Sequence, residues 1–372
     1  MDARLLSDKS INRVNRIFRI TGVGLFYTLM VALGVISLVL DWQTGRLTNL
    51  DGSLFLPFVG STVITIILGY WVIPQLQSLK AGQVIREDGP QSHLQKAGTP
   101  TMGGIFVLPV AVILSLGLTG LNAQVLAVSF LILFYGFIGW LDDWQILRRQ
   151  SNQGISPQQK LLLQLAGAVL FCFWMVLTQT GEIRNINLPG GWVIPLGALF
   201  WVLAGFVMIA ESNATNLTDG LDGLAAGTGA IALLGLAASI APTHPHLMVL
   251  SACLSGSYLG FLAHNHHPAR VFMGDTGSLA LGGGLAAIAL LTNTLWVLAL
   301  VGILFIVENL SVVAQVGYYK LTKGADGKGK RLLKMAPVHH HLELSGWTEI
   351  QVVSLFYLIT TIMMGVCIVI VG

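Results

Sequence analysis

The chain has 372 residues, of which 54% are hydrophobic and only 10% are charged, and its formal net charge is +3. Soluble globular domains carry about a quarter charged residues, so this composition excludes a soluble globular protein and indicates an integral membrane protein. Cys172, Cys253 and Cys367 lie in apolar runs and form no C-x-x-C pair, so we expect buried free thiols.

A helix needs about 20 apolar residues to cross the hydrocarbon core of a bilayer. Eleven apolar runs meet or approach this length, the ninth of them short and rich in glycine: 20–40, 54–74, 104–120, 122–141, 160–179, 193–211, 223–241, 246–263, 277–292, 294–317 and 349–371. We therefore predict an all-α polytopic integral membrane protein with about 11 transmembrane helices.

The distribution of lysine and arginine predicts the orientation, because cytoplasmic loops carry an excess of both. With the N-terminus cytoplasmic and the C-terminus periplasmic, 18 of the 20 basic residues are cytoplasmic, and only Arg46 and Arg184 are outside. The basic residues thus follow topology and give no support to nucleic-acid binding. The acidic and histidine-rich motifs then share the cytoplasmic face, except Glu308 at membrane depth, either a structural hydrogen-bonding group or part of a site.

Asp142 and Asp143 stand at the C-terminal end of the fourth predicted span. The helix dipole is negative there and disfavours two adjacent acids, whereas a solvated helix end would carry Lys or Arg. The pair therefore favours a cation-binding or proton-transfer role. Mg²⁺ is a suitable cation, because it takes one or two carboxylates and completes its coordination with substrate phosphates.

The polar stretch 213–223 joins the sixth and seventh predicted spans. Thr218, Asp219 or Asp222 is a candidate N-cap for the seventh helix. Capping explains one of these residues but not the whole cluster, and a polar turn at a helix N-terminus also favours an anionic or sugar-bearing ligand. The D-G-x-D-G spacing lacks the twelve-residue pattern of a calcium loop.

A glycine-rich turn at 96–104 precedes the third span. Two interpretations are open: its backbone N–H groups and Lys96 hold phosphate, or the segment is only a tight loop that enters the helix.

The segment before the ninth span also has two interpretations. Asp275 or Ser278 caps that helix, or Asp275 binds a metal and Phe272 stacks on a base. Three consecutive histidines at 339–341 are poor zinc chelators, because neighbours point in different directions. One of them is expected to face the site.

Together these motifs resemble the phospho-N-acetylmuramoyl-pentapeptide-transferase (MraY) family, within the polyprenyl-phosphate N-acetylhexosamine-1-phosphate transferase superfamily. The resemblance covers residues 75–371, and its specificity comes from the order of the motifs at cytoplasmic span ends. The segments that carry it are Lys96 to Gly104, Asp142-Asp143, Asn213 to Gly223, Asn265 to Ser278 and Met335 to Glu343.

The resemblance implies transfer of phospho-MurNAc-pentapeptide from UDP-MurNAc-pentapeptide to undecaprenyl phosphate, which forms lipid I and UMP in peptidoglycan biosynthesis and requires Mg²⁺. It also implies a multi-pass protein of the bacterial cytoplasmic (inner) membrane with a cytoplasmic active site, and a homodimer is common in the family. Matched onto this chain, the implied residues are catalytic Asp142, Asp143, His339, His340 and His341, substrate-binding Lys96, Thr101, Asn216, Asp219, Asp222, Asn265 and Phe272, and the metal ligand Asp275.

The chain departs from the family pattern in two places. Ile146 stands where the family usually has lysine, and Arg148 or Arg149 is a hypothetical replacement for that charge. The family usually has ten spans with its N-terminus outside. Here residues 1–53 add a basic N-terminal segment and an extra span before a transferase membrane domain at 54–372.

Two other functions remain open at this point. A related polyprenyl-phosphate N-acetylhexosamine-1-phosphate transferase shares the aspartates and the chemistry, but the 96–104 and 337–343 segments look like the muramoyl-pentapeptide branch. A transporter would show inverted repeats and ionisable groups at mid-membrane depth. This sequence has no evident repeat and places its acids at span ends.

Overall fold

The computed structural model describes residues 21–49, 52–79, 96, 98–149, 151, 153–324 and 326–371. The basic segment 1–19 and the loop 80–95 lie outside the described residues, so the predictions made for them are not addressed by the fold.

Within these ranges the regular secondary structure is helical, apart from one short antiparallel hairpin formed by β1 (Asn185–Asn187) and β2 (Val193–Pro195). The helices are α1 (Gly22–Gln43), α2 (Phe55–Ser78), α3 (Gly104–Leu118), α4 (Ala123–Arg149), α5 (Pro157–Thr178), α6 (Leu199–Thr218), α7 (Leu224–Ile240), α8 (Pro245–Asn265), α9 (Gly274–Leu291), α10 (Leu295–Val301), α11 (Ile303–Leu321), α12 (Val338–Glu343) and α13 (Glu349–Val371).

The predicted all-α polytopic membrane fold is confirmed, and each predicted span coincides with a helix or with the pair α10 and α11. Seven helices of the described residues are long and apolar enough to cross a membrane, or eight if that bent pair is one span. α3 and α7 are apolar but shorter, at 15 and 17 residues. The exact number of spans and the orientation of the termini stay predictions.

Three elements differ from their predicted form. α4 continues to Arg149 rather than ending at 141, so the aspartate pair lies inside the helix. The tenth predicted span is broken at Gly302, where α10 and α11 meet at 75°, as helices often bend at glycine. The sixth span begins only at Leu199, because residues 185–195 form the hairpin.

Burial separates a central layer from a peripheral one. In α8 and α9, 89% of the apolar stretch is buried inside the protein, against 22% in α1 and 28% in α5. The peripheral helices expose large apolar side chains such as Trp71, Phe173 and Val202, as lipid-facing helices do. The central helices approach closely through small residues, which positions the N-terminal turn of α9 against α4.

Candidate active site

Asp143 holds the first turn of α9. Its Oδ1 accepts a hydrogen bond from the Asp275 amide at 3.2 Å, and its Oδ2 accepts from the Thr276 amide at 3.0 Å and the Thr276 hydroxyl at 2.6 Å. A carboxylate at a helix N-terminus satisfies otherwise unpaired amides and is favoured by the dipole. The suggestion that Asp275 or Ser278 caps this helix is therefore wrong, because neither makes a capping hydrogen bond.

Asp142 has fewer partners in the protein than its neighbour. It is 9% exposed, and its Oδ1 accepts one backbone hydrogen bond, from Ile155 at 3.0 Å. Its carboxyl group also lies within hydrogen-bonding reach of the Asp275 carboxyl. Asp142 can therefore still accept hydrogen bonds from a ligand. Asp143 largely cannot, because its oxygens already accept hydrogen bonds from α9.

Gly274 is required where the 96–104 loop meets the aspartates. Its φ is +69°, and a Cβ there would lie 2.5 Å from Asp143 Oδ2 and 2.6 Å from Thr101 Oγ1. Both the left-handed backbone and the close approach exclude a larger residue. The glycine places buried Thr101, a predicted substrate-binding residue, next to the aspartate pair.

Asp275 is bound by a lysine and an asparagine. Lys160 Nζ forms a short ion pair with its Oδ2, and Asn216 Nδ2 donates to its Oδ1 at 2.7 Å. Lys160 Nζ also lies 3.3 Å from Asn216 Oδ1. Sequence reasoning placed Asn216 and Asp275 in the site but missed Lys160, which no motif marks.

Lys160 is relevant to Ile146, which stands where the resembling family usually has a lysine. The positive charge beside the aspartates comes from Lys160 in α5, whereas the Arg149 side chain donates to the backbone carbonyls of Gln153 and Gly154. Arg148 is exposed at the end of α4. The structure therefore places a different cation at the site from the two that the sequence suggested.

The turn 219–223 connects the aspartates to the rest of the site. Burial raises the pKa of Asp219 to about 8, and the charges of Asp275, Asp143 and Asp222 add to this effect. Asp219 therefore lies in the field of the other acids, and we call Asp142, Asp143, Asp219 and Asp275 the aspartate cluster.

The same turn precedes α7, but none of its side chains caps that helix. The suggestion that Thr218, Asp219 or Asp222 is the N-cap is therefore wrong. Instead Asn265 Oδ1 accepts from the Gly223 amide at 3.0 Å, and Asn265 Nδ2 donates to the Val271 carbonyl at 2.9 Å. Asn265 thus joins the turn to the segment before α9.

Lys96 is the centre of a second charged group. Its Nζ lies 2.8 Å from Asp222 Oδ1 and 2.8 Å from Glu349 Oε2, and His267 Nδ1 lies 3.0 Å from Asp222 Oδ2. Burial alone would lower the pKa of Lys96, but the carboxylates of Glu349 and Asp222 outweigh it and raise the pKa. Lys96 is therefore an ammonium at neutral pH, and we call these four residues the Lys96 cluster.

The glycine-rich loop pairs with the segment before α9 through its backbone. The Gly103 amide donates to the Phe272 carbonyl at 2.9 Å, and the Gly104 amide donates to the Met273 carbonyl at 3.2 Å. These two amides are therefore not available to bind phosphate, which was one of the two roles that the sequence suggested for the loop. Phe272 in turn donates to the Pro100 carbonyl and has a half-buried side chain.

The three histidines differ in their surroundings. His339 is 1% exposed, and its amide and Nδ1 lie 3.1 and 3.2 Å from the carboxylate of Glu308. Since a carboxylate only accepts, Nδ1 carries the proton. Nε2, which has no hydrogen-bond partner among the described residues, faces Gly220 of the 219–223 turn.

His340 and His341 are engaged elsewhere. His340 Nδ1 lies 2.9 Å from Glu343 Oε2, and His341 Nδ1 accepts from the Lys334 amide at 3.1 Å. His339 is therefore the one of the three that adjoins the acidic turn. Glu308, whose role the sequence left open, holds this histidine in place.

Two groups of acids could attract a cation. Of the described residues, Asp222, His267 and Glu349 have ligand atoms within 4.8 Å of one another, but the Lys96 ammonium already binds both carboxylates there. The aspartate cluster holds four carboxyl groups against the single ammonium of Lys160. Its carboxylate oxygens are hard donors, the kind of ligand that divalent cations such as Mg²⁺ take.

Comparisons with known proteins agree with these motifs. The model of glycosyl transferase family 4 matches residues 125–293, and signature 1 of phospho-N-acetylmuramoyl-pentapeptide-transferase matches residues 96–108. Proteins of that name from a Nostoc species and from Trichormus variabilis are each 61% identical over 99% of this chain and 98% of their own length. The Synechococcus elongatus protein of that name is 54% identical over 95% of this chain and 97% of its own.

Proposed function

The chain belongs to the phospho-N-acetylmuramoyl-pentapeptide-transferase family, and we propose that it transfers phospho-MurNAc-pentapeptide from UDP-MurNAc-pentapeptide to undecaprenyl phosphate. The products are lipid I and UMP, and the pathway is peptidoglycan synthesis. The observation that carries the proposal is the adjacency of the aspartate cluster and the Lys96 cluster across the turn 219–223. One group suits a reacting diphosphate and the other a nucleotide.

The reaction exchanges one phosphoanhydride bond for another. An oxygen of the lipid phosphate bonds to the phosphorus that carries the sugar. The bond from that phosphorus to the oxygen bridging to UMP breaks, and UMP leaves with that oxygen and its electron pair. Because both reactants are anionic, the site must reduce their repulsion and align them for in-line displacement.

In our proposal Asp142 accepts the proton of the lipid phosphate, since its carboxylate has the acceptor capacity that Asp143 lacks. Asp143 binds three donors of α9 and is a poor nucleophile for that reason, which favours direct attack over an aspartyl-phosphate intermediate. Asp143 instead fixes the position of Asp275. Lys160 places a positive charge beside the reacting phosphates.

Asp275 would hold Mg²⁺, which neutralises phosphate charge and orients oxygens when bound. The residues that would surround the uridine and its phosphates are Lys96, Thr101, Asn216, Asp219, Asp222 and Asn265. The half-buried ring of Phe272 offers the base a flat face. His339 Nε2 would contact a phosphate at Gly220. His340 and His341 would contribute less, because Glu343 and the Lys334 amide engage them.

The chain is a multi-pass membrane protein. We further propose that it lies in the bacterial inner membrane with the site on the cytoplasmic face and a groove between helices for the isoprenoid tail. The same proposal includes a homodimer. It also includes a transferase domain at 54–372, which a separate N-terminal segment at 1–53 precedes.

The test is UMP release by the purified full-length protein in detergent with undecaprenyl phosphate. UDP-MurNAc-pentapeptide and UDP-GlcNAc are compared, each with Mg²⁺ and with EDTA. We expect Mg²⁺-dependent release from the muramoyl donor alone. The Asp275→Asn variant, expected to lose release, is the matched control against a contaminating hydrolase. Release from UDP-GlcNAc instead would support the N-acetylhexosamine branch of the superfamily, and no release from either donor would refute the proposal.

A further inference from the structure

The first turn of α1 packs directly against the loop that follows α8. Gly22 is buried, and a Cβ there would overlap the backbone carbonyl oxygen of His267. Phe26, 5% exposed, places its ring 6.0 Å from the ring of His266. The extra N-terminal helix therefore contacts two consecutive residues of this loop.

The same loop supplies a donor to the Lys96 cluster. His267 Nδ1 lies 3.0 Å from Asp222 Oδ2 and 3.4 Å from Glu349 Oε2. Carboxylates only accept, so Nδ1 carries a proton and donates to them. The Ala269 amide also donates to Asp222 Oδ2, at 3.0 Å. His267 Nδ1 and the Ala269 amide thus bind one oxygen of Asp222, and Lys96 binds the other.

The position of Lys96 depends on this arrangement. Its ammonium can bind both Asp222 and Glu349 only if the two carboxylates stay close together despite their like charges. A donor that bridges them from the other side favours this geometry. A small cavity beside this cluster is lined by Leu25 and Phe26 of α1, by His267 and by Tyr357 of α13.

We propose that His267 is a positioning residue for nucleotide binding, and that α1 holds it in place through Gly22 and Phe26. The extra N-terminal helix then acts on donor affinity, through His267 and Asp222 to Lys96. This inference rests on the proposed function, because it assigns Lys96 to the nucleotide part of the donor.

The experiment measures kcat and both KM values with the purified full-length protein. His267→Ala is expected to raise the KM for UDP-MurNAc-pentapeptide roughly tenfold, as loss of a charge-assisted hydrogen bond would. The kcat and the KM for undecaprenyl phosphate are expected to stay within about twofold. His267→Asn is expected to restore the donor KM, because its amide nitrogen can replace Nδ1.

A double-mutant cycle tests the role of α1. Gly22→Ala is expected to raise the same KM, since its methyl group displaces the His267 backbone. In the His267→Ala background it should add little, because coupled residues are not additive. Gly34→Ala is the matched control on the same helix, where a Cβ meets nothing within 4 Å, and it should leave every constant unchanged.

Three results would overturn the proposal: an unchanged donor KM in His267→Ala, failure of His267→Asn to restore it, or additive effects in the cycle. A merely structural role would instead lower the melting temperature and kcat with no selective change in the donor KM. If the wild type releases no UMP, the proposed function fails, but the inference is still tested by the Kd for UMP, which His267→Ala should raise and Gly34→Ala should not.

Discussion

At the residue scale, three aspartates of the site differ in the groups that bind their carboxylates. Asp143 is occupied by the amides of α9, Asp142 has a single backbone donor, and Asp275 is held between Lys160 and Asn216. Composition and motif order identified all three acids. They did not reveal which partner binds each acid, because that depends on which helix end approaches each carboxylate.

Lys160 is expected to be needed for turnover. Lys160→Met removes the charge paired with Asp275, and we expect kcat/KM to fall roughly a hundredfold, as when one electrostatic contact to a transition state is lost. Lys160→Arg should keep more activity because it keeps the charge. Arg148→Ala is the control, since Arg148 is exposed. If Arg148→Ala were the more damaging variant, the assignment of the cation to Lys160 would be wrong.

Asp219 predicts a specific pH dependence of stability. Its pKa is raised from 3.8 to about 8 in the folded protein, so the folded state holds a proton that the unfolded chain releases near pH 4. The wild type should therefore lose stability as the pH rises from about 4 to 8, an effect that Asp219→Asn lacks. The measurement is the melting temperature of Asp219→Asn minus that of the wild type, in EDTA. This difference should increase as the pH rises from about 4 to 8 and level off above about pH 8. A difference that stays constant with pH would contradict the account.

At the element scale, the site depends on how closely α9 approaches α4. A Cβ on Gly139 would overlap the backbone carbonyl of Asp275 and the amide of Thr276. We therefore expect Gly139→Ala to displace the start of α9 and to lower kcat/KM at least tenfold. Gly205→Ala in α6, where a Cβ meets nothing within 4 Å, should retain activity. Full activity of Gly139→Ala would show that this packing does not position Asp275.

The helices themselves were largely predictable, and their ends were not. Apolar length located a helix, or the pair α10 and α11, at each predicted span, because a bilayer demands about 20 apolar residues. The break at Gly302 and the extension of α4 to Arg149 were missed, since both sequences continue without proline or a strong stop signal. Caps supplied from other helices, such as Asp143 on α9, leave no local signature.

At the scale of the whole molecule, the charge distribution predicts a cytoplasmic N-terminus and a periplasmic C-terminus. In a background without the three cysteines, Glu182→Cys near the hairpin should react with an impermeant maleimide on intact cells. Ser345→Cys, after α12, should react only once the cells are lysed. Both residues are exposed in the structure, so access to the reagent depends on the membrane side; the opposite pattern would refute the orientation.

The central claim is that this chain joins a phosphorylated sugar to a lipid phosphate. The most direct measurement is mass spectrometry of the lipid extracted after incubating the protein with UDP-MurNAc-pentapeptide, undecaprenyl phosphate and Mg²⁺. We predict a lipid that carries MurNAc-pentapeptide through a diphosphate, formed with one equivalent of UMP and absent with Asp275→Asn. UMP release without that lipid, or the same lipid from the Asp275→Asn protein, would contradict the account.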